Sequence, residues 1–174
     1  MDSARRSYIN RLGEIIREVA EVKTPVDVET LAKSLGGSVT KKSSLDYEAK
    51  VEKEGDGFKI TLSKKAFEAR KRFTIAHELG HLFLHMGYLL DEDKWNKTGV
   101  YSDSVYYRHG HSQEEYEANE FAGSLLMPKA EFISVAERHC ANNKYSVLPI
   151  AKHFDVSVDA AITRGRWLGL FSWS

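Results

Sequence analysis

Residues 77–81 read His77-Glu78-Leu79-Gly80-His81, an HExxH pattern between Phe73-Thr74-Ile75-Ala76 and Leu82-Phe83-Leu84-His85. Residues four apart share a helix face, so His77 and His81 aim two imidazoles at one metal ion, while Glu78 reaches a water on that metal. Zinc lowers the pKa of the water it holds from about 16 to about 7, and a neighbouring carboxylate takes its proton as the water attacks a peptide carbonyl. The pattern therefore reads as zinc-dependent peptide hydrolysis, with two ligands and a base. The bland alternative is a pair of core histidines satisfied by hydrogen bonds. Against it, the apolar residues Phe73, Ile75, Ala76, Leu79, Leu82, Phe83 and Leu84 supply the buried helix that an active site needs to hold its ligands still.

A catalytic zinc takes three protein ligands and keeps one open position, so a third ligand must come from elsewhere. His85 lies four residues beyond His81, but a straight helix carries it a full turn farther along. Three successive turns do not converge on one metal, and His85 reads as lining the cleft or packing beneath it. The better source is Glu114-Glu115-Tyr116-Glu117-Ala118-Asn119-Glu120-Phe121-Ala122. Small Ala118 and Ala122 let two helices approach closely, and Glu115 lies on their face with Asn119 one turn below. That offers a carboxylate for the metal and an amide to hold a ligand imidazole from behind. Glu117 is the rival; its neighbour one turn on is Phe121, which is apolar, so it ranks behind Glu115. Ser112 and Glu115 also fit a capping box, in which Glu115 would bond backbone instead.

The elements that must position these residues follow from hydrophobic spacing. From Arg5 to Glu21 a helical stripe carries Ile9, Leu12, Ile15, Ile16 and Val19. Asp27 caps a second helix with Val28, Leu31, Ala32 and Leu35 inward, ended by Gly36-Gly37. Between Ser38 and Ser63 the pattern changes to strands, with Tyr47 to Glu54 and Phe58 to Ser63 flanking the turn Gly55-Asp56-Gly57. A helical stretch from Lys64 is expected to break or bend before the active-site helix at about Phe73, and Lys64, Lys65, Arg70, Lys71 and Arg72 read as a solvated basic face. From Met86 to His111 periodicity disappears, which suggests a rim or lid over the cleft. Tyr106, Tyr107, His109 and His111 in that segment are the candidates for stabilising an oxyanion. Helices are expected over Gln113 to Leu126, stopped by Met127-Pro128, and from Lys129 to Cys140.

The C-terminal part, around Phe154-Asp155-Val156-Ser157, has the cadence of two short helices joined by a tight turn and looks like a helix-turn-helix. The second helix offers Asp159, Thr163, Arg164 and Arg166, too sparse a set for base readout, so packing is the reading. The fold class is α+β: mostly helical, with a small antiparallel sheet packed on the active-site helix. One domain covers residues 1–174, divided into a catalytic core over 1–128 and a C-terminal helical lobe over 129–174. A substrate segment is expected to lie extended along an exposed strand such as Phe58 to Leu62.

The 174 residues carry 25 basic and 25 acidic side chains, so there is no global electrostatic footprint for nucleic acid or an anionic membrane. The single cysteine, Cys140, excludes an internal disulfide framework and a zinc site built from thiolates. The N-terminal residues resemble no secretory signal, and no apolar run is long enough to span a bilayer. A cytoplasmic protein is expected.

The stretch Phe73 to His85, followed by Glu115 to Pro128 with its E-x-x-A-N pattern and Leu125-Leu126-Met127-Pro128, resembles the ImmA/IrrE family of zinc metallopeptidases. More loosely, Pro25-Val26-Asp27 and the Phe154 to Ser157 turn with Leu168-Gly169-Leu170 are also similar to family members. The resemblance implies a zincin-like, gluzincin-type fold with one Zn2+. It implies cleavage of a regulatory protein, typically a helix-turn-helix repressor or antitoxin-like partner, in stress response or mobile-element control. It makes His77 and His81 ligands, Glu78 the base and Glu115 the third ligand. The long Met86 to His111 segment departs from the shorter family pattern, and an N-terminal repressor-like DNA-binding domain is not evident. The rival reading is a non-catalytic, metal-containing binding or sensing module that acts through protein or DNA contacts of its C-terminal helices.

Overall fold

The structure, a computed structural model, describes residues 1–43, 48–63, 68–97 and 113–173. Helix α1 spans Ser3–Val19 and opens on Asp2, whose carboxylate accepts a hydrogen bond from the Arg5 amide at 2.7 Å. Its buried stripe is Ile9, Leu12, Gly13 and Ile16. Ile15 and Val19, expected on that stripe, are 39% and 81% exposed, because the helical period carries both to its flank. Helix α2, Val28–Ser34, is capped by Asp27, which accepts from the Thr30 amide at 3.0 Å and the Thr30 hydroxyl at 2.7 Å. It ends before Gly36, whose φ of +85° suits glycine alone among unstrained residues.

Strands β1 (Gly37–Lys42), β2 (Ala49–Glu54) and β3 (Gly57–Ser63) form a sheet of order β1-β3-β2. The hairpin β2–β3 is antiparallel, as its turn residues require, but β1 runs parallel to β3. The sheet is therefore mixed and the expectation of an antiparallel sheet is corrected. A two-residue turn dictates its own pairing locally, whereas β1 finds its partner only through the tertiary fold. The same order corrects the reading of Phe58 to Leu62 as an open strand. β3 is central, with Phe58, Ile60 and Leu62 at 1%, 0% and 0% exposure, so the outer strands of this sheet are β1 and β2.

Helix α3 runs unbroken through Glu68–Leu84, so the active-site helix begins before Phe73, and any break in the stretch from Lys64 would lie outside the described residues. Of the basic cluster at its start, Arg70 is exposed, but the next two residues are no solvated face. Lys71 is buried, and Arg72 donates to the carbonyl of Val26 at 2.8 Å and to the Asp155 carboxylate, clamping α3 to the approach to α2 and to a distant turn. Lys64 and Lys65 lie outside the described residues. After α3 the chain does not go straight into a rim. Met86 and Tyr88 are buried, the Tyr88 hydroxyl donates to Leu35 O at 2.6 Å, and a short helix α4, Glu92–Lys97, lays Trp95 edge-on against Tyr88 at 4.8 Å between centroids.

Helices α5 (Gln113–Leu126) and α6 (Lys129–Arg138) follow, with Pro128 between them where it cannot continue α5. α6 stops before Cys140, which instead begins a small hairpin of β4 (Cys140–Ala141) and β5 (Lys144–Tyr145). Its turn residues Asn142 and Asn143 have φ of 50° and 59°, the primed-turn signature, and the Asn-Asn pair was the available signal. Helices α7 (Val147–Phe154) and α8 (Val158–Trp167) are joined by Asp155, Val156 and Ser157; Asp155 is left-handed and Ser157 caps α8. No helix among the described residues is long and apolar enough to cross a membrane.

Arg164 of α8 is 3% exposed and points inward. Its guanidinium donates to Glu120 at 3.0 Å, Asn10 at 2.8 Å and Met127 O at 3.0 Å, joining α8, α5, α1 and the end of α5. Removing it leaves the buried Glu120 carboxylate with Asn10 at 2.7 Å and Arg6 at 3.7 Å. Arg164→Met is expected to cost about 3 kcal/mol, the low end for breaking a buried pair because those partners remain. A urea titration showing a midpoint unchanged from the parent would contradict this role.

Candidate metal centre

Two helices build the site. α3 carries His77, Glu78 and His81, which are 1%, 1% and 0% exposed, and α5 crosses it carrying Glu115 and Asn119. The crossing is close because Gly80 faces Ala118. A Cβ on Gly80 would stand 2.9 Å from the Ala118 Cα and 3.1 Å from its carbonyl oxygen.

At this crossing His77 Nε2 and His81 Nε2 lie 3.1 Å apart. The Glu115 carboxylate sits 3.4 Å from the first through one oxygen and 3.1 Å from the second through the other. Three donor groups held this near one another form a group able to hold a metal ion. Ligand atoms at about 2.0–2.1 Å from a tetrahedral ion stand about 3.4 Å apart, so the observed spacings suit that ion. Glu115 thus joins the two imidazoles and its rival Glu117 does not. Ser112, the other half of the alternative capping box, lies outside the described residues, as do Tyr106, Tyr107, His109 and His111.

Each imidazole is also held from behind. His77 Nδ1 donates to Asn119 Oδ1 at 2.9 Å, the amide role expected for Asn119. His81 Nδ1 meets His85 Nδ1 at 2.9 Å, and His85 Nε2 meets Glu117 Oε2 at 3.3 Å. His85 therefore packs beneath the site rather than entering the ligand group. Burial pushes the His85 imidazole below its ordinary pKa. Burial alone would raise the Glu117 carboxyl, but hydrogen bonds from Arg5, Gln113 and His85 outweigh it and hold it at about 2.

Arg5 and Gln113 escaped notice in the sequence. Arg5 Nη2 reaches Glu117 at 2.5 Å across 112 residues of chain, and no local pattern announces such a pair. A cavity of about 750 Å³ opens beside Phe73, Tyr116, Asn119, Val156 and Trp167. It touches the back of the site through Asn119, while His77, His81 and Glu115 are absent from its walls.

Two imidazoles and a carboxylate beside a buried glutamate, on crossed helices next to a small sheet, are the parts of a metallopeptidase. The comparisons with known proteins point the same way. The model of the Peptidase M78 family, described as the IrrE N-terminal-like domain, matches residues 26–164, and the chain belongs to this family. A Mycobacterium tuberculosis transcriptional regulator of solved structure superposes with a TM-score of 0.61 at 18% identity, over 91% of this chain and 46% of that one. The chain thus spans about half the length of that regulator, and the likeness is one of fold. No curated protein matches the sequence.

Gly80→Ala tests the helix crossing. Alanine favours the helix by about 1 kcal/mol. Overpacking against backbone costs about 1–3 kcal/mol, and here the neighbour is Ala118 main chain, which cannot swing aside. The expected result is a modest loss of thermal stability and a larger loss of metal affinity, because displacing Ala118 moves Glu115 one turn away. Unaltered metal binding in a chelator competition would show that the crossing has slack.

Proposed function

We propose that the protein is a zinc metalloendopeptidase in which His77, His81 and Glu115 hold the ion and Glu78 is the catalytic base. The observation that carries this reading is the convergence of His77 Nε2, His81 Nε2 and the Glu115 carboxylate within 4.8 Å at the helix crossing that also buries Glu78. Zinc bound there supplies a Lewis acid and a water that ionises near neutral pH. Glu78 takes the proton from the attacking water and passes it to the leaving amine. Asn119 keeps the proton of His77 on Nδ1 and so leaves Nε2 free for the ion.

The substrate is a protein, and the family resemblance favours a helix-turn-helix repressor or antitoxin-like regulator acting in the cytoplasm. Among the described strands, β2 takes the place first assigned to β3. It is an outer strand and it packs on α3, so an extended peptide adding to its free side runs past the active-site helix. The competing reading, a metal-containing module that works through protein or DNA contacts of its C-terminal helices, loses Arg164 as a cation for DNA, because that side chain is committed to Glu120 and Asn10 inside the protein.

Two variants separate the roles. Glu78→Gln should retain about one zinc per chain and lose at least 100-fold in turnover, the scale of a missing general base. Glu115→Ala should lose the zinc itself. Elemental analysis together with a cleavage assay on a candidate repressor reads both, and undiminished cleavage by Glu78→Gln would remove Glu78 from the mechanism.

A further inference from the structure

The hydrogen bonds behind His81 continue beyond its first partner. His81 Nδ1 faces His85 Nδ1 at 2.9 Å, and His85 Nε2 faces Glu117 Oε2 at 3.3 Å. Glu117 Oε2 accepts from Arg5 Nη2 at 2.5 Å, and Glu117 Oε1 accepts from Gln113 Nε2 at 2.9 Å. The side chains of His81, His85 and Glu117 are 0%, 6% and 5% exposed, and Arg5 closes the line from α1 at the surface.

With an ion on His81 Nε2, as the proposed function has it, proton placement along this line has one consistent solution. Each neutral imidazole has one N–H and one lone pair. A carboxylate has only lone pairs to offer, so the nitrogen of His85 that faces it, Nε2, must carry the proton. Nδ1 of His85 is then an acceptor, and Nδ1 of His81 must donate to it. The remaining nitrogen of His81, Nε2, then keeps its lone pair for the ion that Glu115 and His77 would share with it. Reversing the tautomers would set the His85 lone pair against the Glu117 carboxylate and put a proton where His81 must ligate.

We propose that Arg5, Glu117 and His85 are positioning residues that fix His81 in its metal-binding tautomer and orientation, which makes the N-terminal helix a working part of the metal centre. Arg5 anchors Glu117, Glu117 sets the proton on His85, and His85 sets the proton on His81. α1 precedes the segment that the family model matches, residues 26–164, so this connection comes from outside the matched region of the chain. It rests on the assignment of His81 as a ligand.

The first test uses the zinc-loaded protein. Nitrogen-15 NMR of the histidine side chains should show His85 protonated on Nε2 with a bare Nδ1, and finding a proton on His85 Nδ1 would overturn the proposal. The second uses zinc affinity by competition with a chromophoric chelator. Loss of such an outer partner weakens metal binding roughly 10–100-fold, expected here for His85→Leu and Glu117→Leu, with a smaller loss for Arg5→Met. His85→Gln is the decisive control. Its side-chain carbonyl accepts from His81 while its amide N–H donates to Glu117, so affinity should recover towards the parent. A purely structural role predicts no such split between leucine and glutamine at equal thermal stability, and equal affinities in both would overturn the relay. A parent that binds no zinc would sink the peptidase reading and the relay together, whereas a parent that binds zinc with His85→Leu and Glu117→Leu equal to it would sink the relay alone.

Discussion

The metal group depends on how closely α3 and α5 can approach. The Glu115 carboxylate reaches the imidazoles of His77 and His81 because Gly80 lets α5 lie with Ala118 against the α3 backbone. A methyl group at that point would stand 2.9 Å from the Ala118 Cα, so the helices would have to move apart and carry Glu115 with them. Gly80 belongs to the two middle residues of the HExxH pattern, which the chemistry leaves unspecified. Here the packing specifies one of them.

The acidic face of α5 is partitioned by its neighbours. Glu115, Ala118, Asn119 and Ala122 turn towards α3, while Glu117 and Glu120 turn towards α1. Buried carboxylates are tolerable only when paired and hydrogen-bonded. Glu120 meets that condition through Asn10 and Arg164, and Glu117 through Arg5, Gln113 and His85. α1 can lie against α5 because Gly13 faces Ser124, whose hydroxyl would stand 2.2 Å from a Cβ placed there. Two glycines on two different helices thus leave α5 gripped from both sides, and each grip places a different carboxylate.

The sheet serves the site from the other flank of α3. β3 supplies the core through Phe58, Ile60 and Leu62, and β2 carries the outer edge beside the active-site helix. Thr74, one turn before His77, donates to the Glu48 carboxylate at 2.8 Å and ties the start of β2 to α3. Arg72, two residues earlier, reaches to Val26 and Asp155. The active-site helix is therefore pinned along its first half by polar side chains and along its second half by apolar burial, which holds the imidazoles in register.

The sequence alone determined what depends on residues near one another in the chain. The HExxH spacing placed three functional groups on one helical turn and a half. Asp27, Gly36 and Ser157 marked helix ends through local capping, and the Gly55 turn set the β2–β3 hairpin. Glu115 and Asn119 were readable because a helix puts residues four apart on one face, and Ala118 between them told which face was close-packed. What the tertiary structure alone decided involves partners distant in the chain. β1 lies parallel to β3 rather than antiparallel, because strand alternation records which face is buried but not which neighbour supplies the hydrogen bonds. Arg72 of the basic run became an internal clamp, since a long cationic side chain shows its partner only when the fold delivers a carbonyl and a carboxylate to it. Glu117 looked like a possible ligand until α1 brought Arg5 to it, and His85 acquired a place in the site only when Glu117 arrived on its far side. Composition and periodicity are one-dimensional and cannot encode such meetings; the packing of α1, α3 and α5 around two glycines makes them.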